Sequence, residues 1–172
     1  MFTAYFDASG NAVDQPFVIV SGYIANYIQW KFIEDTWQQV QTKYGVNQLF
    51  HAADFMAAMS NVQRYQKQSN ARLDYVAIAS QPGQAERFLV NLAQLVAGVT
   101  HCAVTAVIPM ETYNGVSSLL DLRKVVPPYA RGARLCIELV RKWEEFFDVQ
   151  EPVECELRGK LTPQFGSHLA RI

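Results

Sequence analysis

Residues 2–10 read Phe2-Thr3-Ala4-Tyr5-Phe6-Asp7-Ala8-Ser9-Gly10, and Phe17-Val18-Ile19-Val20-Ser21-Gly22-Tyr23-Ile24-Ala25 follows after a short polar turn. The first run alternates: Phe2, Ala4 and Phe6 fall on one side, Thr3, Tyr5 and Asp7 on the other, which is the period of a strand. The second run is β-branched and aromatic and reads as another strand. Ser9-Gly10-Asn11, with Asp14 and Pro16 beyond, supplies turn residues, so an antiparallel hairpin is expected.

Further along, the period changes. Trp30, Ile33, Trp37, Val40 and Tyr44 recur at three- and four-residue steps, the apolar stripe of a helix, and Gly45 is placed to cap it. Phe50 to Met59 reads as a loop entering a short helix. Residues 60–72 read as an exposed polar excursion, and Leu73 to Ala79 fits strand or helix. Pro82-Gly83 marks a break. Phe88, Leu89, Leu92, Leu95 and Val96 line a second helix, which Gly98 is expected to end. His101 to Ile108 reads as a buried strand stopped by Pro109. A third long helix runs from about Pro128 to Phe147, with Cys136, Leu139, Val140, Trp143 and Phe147 on its buried face. Val153 to Leu157 is the last strand. Helices that follow a hairpin and then alternate with strands imply an α/β fold, a mixed β-sheet flanked by helices.

The bulk numbers bound the function. A chain of 172 residues, half of them apolar and 18% charged, suits a single globular domain over 1–172. A formal net charge of -1 provides no global field to draw the chain to nucleic acid. No basic segment precedes an apolar run at the N-terminus, and no apolar run has the length of a membrane span. The three cysteines, Cys102, Cys136 and Cys155, are scattered through apolar runs without a Cys-x-x-Cys unit, so buried, reduced thiols and a cytoplasmic location are expected.

Asp7 carries the most chemical weight. It ends a strand just before Ser9-Gly10, where α/β sheets tend to open their sites, and a carboxylate there can bind Mg²⁺ or Mn²⁺. The plainer role is turn organisation through its own backbone. His51 and Asp54, three apart, would share a helical face as a metal-ligand or acid–base pair. Alternatively, Asp54 caps a short helix over 55–59 and His51 is a partner or loop residue. Glu154 and Glu156 share one strand face, and one of them could join Asp7 if the last strand lies near the first. Asp121 reads as a solvated loop acid. Tyr129, Arg131 and Arg134 could reach a phosphate, although such helix positions are usually only solvated. No glycine-rich phosphate loop, Gly-x-Ser-x-Gly elbow, His-Glu-x-x-His or dinucleotide fingerprint is present.

Taken in order, Tyr5-Phe6-Asp7-Ala8-Ser9-Gly10, Val20-Ser21-Gly22-Tyr23-Ile24-Ala25, Gln29-Trp30 with Trp37, and Phe50-His51-Ala52-Ala53-Asp54-Phe55 resemble domain-of-unknown-function family 3800. The helix from Tyr129 to Trp143 is similar to that family's long helix. The resemblance implies a ribonuclease H-like fold and a metal-dependent nuclease or phosphodiester hydrolase acting on RNA or DNA. It maps the opening acid to Asp7 and the second motif to His51 and Asp54. Asp7 and Asp54, with Glu156 in place of a later acid, would hold Mg²⁺ or Mn²⁺. The chain departs from the family after the last strand. Glu156-Leu157-Arg158-Gly159-Lys160 replaces an acidic segment, and the tail from about 158 to 172 reads as truncated or frame-altered. That departure keeps a second function open, a catalytically inactive ribonuclease H-like interaction protein.

Overall fold

The computed structural model describes residues 1–9, 15–120 and 127–158. They pack as two compact units: Met1–Gln29 together with the chain from Thr100 onward, and Trp30–Val99.

The first unit is built on a four-stranded mixed sheet flanked by helices. β1 (Phe2–Ser9) and β2 (Phe17–Asn26) form the expected antiparallel hairpin, in a register that sets Phe6 opposite Gly22 and Asp7 opposite Ser21. β3 (Cys102–Pro109) pairs antiparallel with the far side of β2, and β4 (Glu154–Arg158) pairs parallel with β1, giving the order β3-β2-β1-β4. One sheet face carries Ala4, Phe6, Val20, Ile24, Val104, Ala106 and Cys155, and these bury against Cys136, Ile137 and Val140 of the long helix spanning Pro128–Phe146. Two glycines make this layer thin. A Cβ on Gly22 would stand 2.1 Å from the Tyr5 carbonyl oxygen and 2.4 Å from the Phe6 ring. A Cβ on Gly132 would stand 2.7 Å from Val20 Cγ2.

That close approach explains a correction to the helix face. Gly132 and Ala133 let the helix sit down on the sheet, so the buried stripe is Gly132, Ala133, Cys136, Ile137 and Val140. Leu139 and Phe147, expected inside, are 41% and 60% exposed. The β3 expectation is corrected too. As an edge strand covered on one face, it buries Val104, Ala106 and Ile108 and leaves Val107 half exposed.

The second unit is helical. In chain order the helices of the described residues are α1 (Tyr27–Lys43), α2 (Ala52–Ser60), α3 (Val62–Gln66), α4 (Leu73–Ala79), α5 (Gln84–Val99), α6 (Met110–Leu120) and α7 (Pro128–Phe146). Gly45 takes the left-handed φ of 73° expected of a helix cap. Residues 60–72 are not wholly an exposed excursion. Asn61 Oδ1 accepts the Arg64 N–H at 2.9 Å and starts α3, which buries Tyr65 among Phe55, Tyr75, Ile78, Phe88 and Leu92. Leu73 to Ala79 resolves as helix, and Gly98 lies inside α5 rather than ending it. The segment after Pro109 is helical as well. α6 seats Met110 and Tyr113 against Val18 and Ile108, a pattern interrupted in the sequence by Asn114-Gly115 and Ser117-Ser118. No described helix is long and apolar enough to cross a membrane. Asp121 and the tail beyond Arg158 lie outside the described residues.

Candidate functional site

Because β3 and β4 both run parallel to β1, the carboxyl ends of three strands lie along one edge of the sheet. Asp7 stands there with an exposed side chain. Its Oδ1 accepts the Ala8 N–H at 2.8 Å, so one oxygen is held by local backbone, as a turn-organising aspartate would have it. The polar row continues across the sheet through Ser21, whose hydroxyl lies 2.8 Å from that of Thr105. On the other side, Glu156 is paired with Tyr5 and so shares the Asp7 face, diagonally one step back. Strand spacing and rise set their Cα atoms roughly 8 Å apart. Glu154, paired with Thr3, lies a further step away and is also exposed.

α7 begins at this same edge. Gly132 lies over Val20, whose β1 partner is Ala8, so Tyr129, nearly one turn earlier, sits beside the end of β1. Its hydroxyl is buried without a hydrogen-bond partner among the described residues. Burial, and then the nearby negative charge of Asp7, push its pKa up. The expectation of a merely solvated Tyr129 is therefore corrected. The sequence placed it on a helix surface, whereas the fold packs it against the core of the sheet unit. Arg134 pairs with Glu138 at 3.4 Å, while Arg131 is exposed.

His51 and Asp54 belong to the helical unit. His51 occupies the N-cap position of α2 with extended backbone, and Asp54 lies in the first helical turn, not at the cap. Their side chains meet, Nδ1 to Oδ2, at 3.2 Å, and both are substantially exposed. The flanking aromatics hold this joint. Phe50 and Phe55 pack with Tyr75 and Phe88 at ring-centre distances of 5.1–6.1 Å. The buried Tyr75 hydroxyl accepts the His51 N–H at 2.7 Å. Arg72, paired with Asp74 at 3.0 Å, lies over the Tyr75 ring and donates to the Leu49 carbonyl. The spacing in Phe50-His51-Ala52-Ala53-Asp54-Phe55 thus turns aromatics inward and the polar pair outward.

Among the described residues, no three His, Cys, Asp or Glu side chains come together as a metal-ligand group. Burial raises the pKa values of all three cysteines, that of Cys155 to about 11. One feature escaped sequence reading altogether. Phe2, His101, Trp143 and Phe147 line an open cleft of about 610 Å³ at the opposite end of the sheet. The exposed Phe146-Phe147 doublet was its visible trace. No family model, no curated protein and no solved structure matches this chain.

Proposed function

We propose that this chain is a divalent-metal-dependent phosphodiester hydrolase acting on RNA or DNA, of the ribonuclease H-like kind implied by its resemblance to domain-of-unknown-function family 3800. One observation carries the reading: Asp7 stands exposed at the carboxyl end of β1, with Glu156 of the adjoining parallel strand on its face. The strand order β3-β2-β1-β4, in which β2 alone runs against the others, supports it. That order brings the carboxyl ends of β3, β1 and β4 to the Asp7 end, where open α/β sheets form their sites.

The donors fit the ion in kind. Mg²⁺ is commonly held by one or two carboxylates, its shell completed by water and substrate phosphates. Asp7 and Glu156 offer oxygen donors of that sort. A bound Mg²⁺ or Mn²⁺ would offset phosphate charge and lower the pKa of its water. The protein's own part is to present one Asp7 oxygen while Ala8 N–H fixes the other. His51 and Asp54 lie in the helical unit, and an acid–base role for His51 enters the reading as what the resemblance implies. Asp54 facing Nδ1 favours the tautomer that leaves Nε2 able to accept a proton.

The test is Mn²⁺-dependent cleavage of single-stranded RNA and DNA. Asp7→Asn should lower the rate by about 10²–10³, and His51→Ala by at least about 10². Cleavage undiminished in Asp7→Asn removes Asp7 from the mechanism. The competing reading, a non-catalytic interaction domain, predicts no Mn²⁺ heat in calorimetry that Asp7→Asn abolishes.

A further inference from the structure

We propose that the cleft between α6 and α7 is a subsite for one nucleotide of the substrate, with Arg131 holding its phosphate. The inference rests on the phosphodiester reading of the Asp7 end. Ile108, Pro109, Thr112, Val116, Arg131 and Leu135 line a cleft of about 230 Å³. It lies beyond the carboxyl end of β3, on the edge of the sheet that also carries Asp7, where open α/β sheets bind their ligands. The register Asp7–Ser21–Thr105 puts Ile108 two strands across and three residues further on, roughly 14 Å from Asp7 by strand spacing and rise. The odd step puts Ile108 on the face covered by α7, opposite that of Asp7, so a substrate strand joining the two would pass round the carboxyl end of the sheet.

The lining chooses the occupant. Its walls are apolar, and Val116 and Leu135 remain 41% and 37% exposed. Its rim holds an exposed guanidinium. Arg131 has no carboxylate partner among the described residues, whereas Arg134, on the same helix, is spent on Glu138. An apolar slot beside an arginine with no described carboxylate partner is complementary to a flat ring system that carries an anion. Arginine takes phosphate oxygens in a bidentate fork, and a base is held by its apolar face. The volume falls below the 300–1,000 Å³ or so of pockets for drug-sized ligands, a size that suits a single base.

The test is calorimetric titration of the full chain with AMP and UMP, with EDTA present. Binding should weaken at least tenfold in Arg131→Ala and in Leu135→Trp, which fills the slot, and should be unchanged in Arg134→Ala. All three side chains lie at the surface, so circular dichroism should show intact folds. No binding at millimolar nucleotide overturns the subsite. So does binding that neither variant weakens, binding of ribose 5-phosphate as tight as AMP, or a preference for decanoate over both nucleotides. Because metal is absent, the outcome is separate from the cleavage test. Nucleotide bound without any cleavage would refute the hydrolase reading alone, and cleavage without effects of Arg131→Ala and Leu135→Trp would refute the subsite alone.

Discussion

Asp7 and the His51–Asp54 pair reach the surface by opposite routes. The surroundings of Asp7 come from far along the chain: Ser21 across the hairpin, Glu156 from the last strand, Tyr129 from a helix laid on the sheet. His51 finds Asp54 within a single helical turn, and the fold adds only an aromatic base beneath them. A site assembled by strand register should fail when the register is disturbed. A pair assembled locally should depend on its anchors and little on itself.

The largest effect should come from Gly22→Ala. Alanine is ordinarily the better strand residue, since interior glycine costs about 0.5–1 kcal/mol. Here its methyl group would strike the Tyr5 carbonyl and the Phe6 ring, forcing β1 and β2 apart beneath Asp7. A loss of more than about 4 kcal/mol is expected in urea denaturation. A variant as stable as the parent would break the claim that the setting of Asp7 hangs on this contact.

Next comes the anchor of the other centre. Phe55 is fully buried, and Phe55→Ala should cost about 3–5 kcal/mol. Asp54→Ala, which only opens an exposed pair, should cost less than about 1 kcal/mol. If those two magnitudes were reversed, the pair and not its aromatic base would be holding the α2 joint.

A smaller effect should separate the units by pH. The cysteines all lie in the sheet unit, and Cys155 is lifted from 9.0 to about 11 by burial. A pKa raised in the folded state means that the native protein holds the proton more tightly. Its contribution is complete below about pH 9 and is lost as pH climbs through the folded value near 11. At full extent that is roughly 2–3 kcal/mol. Urea denaturation of the parent and Cys155→Ala at pH 8 and pH 10.5 should show a shallower decline in the variant. Equal declines would remove Cys155 as the source.

Where the residue period is unbroken, the sequence alone sufficed. Alternation in residues 2–8 and the turn after them announced the hairpin. The steps from Trp30 to Tyr44 announced α1, and the three-residue spacing of His51 and Asp54 announced their contact, because strand and helix periods act over a few residues. What it left open was decided by packing between distant segments. The seating of α7 turned on a missing Cβ at Gly132, which exposed Leu139, and packing against the core of the sheet unit buried the Tyr129 hydroxyl. The parallel pairing of β4 with β1, which sets Glu156 on the Asp7 face, and the edge position that bares one side of β3, are matters of strand order. Residue spacing repeats along one element and carries no record of which other element will lie against it.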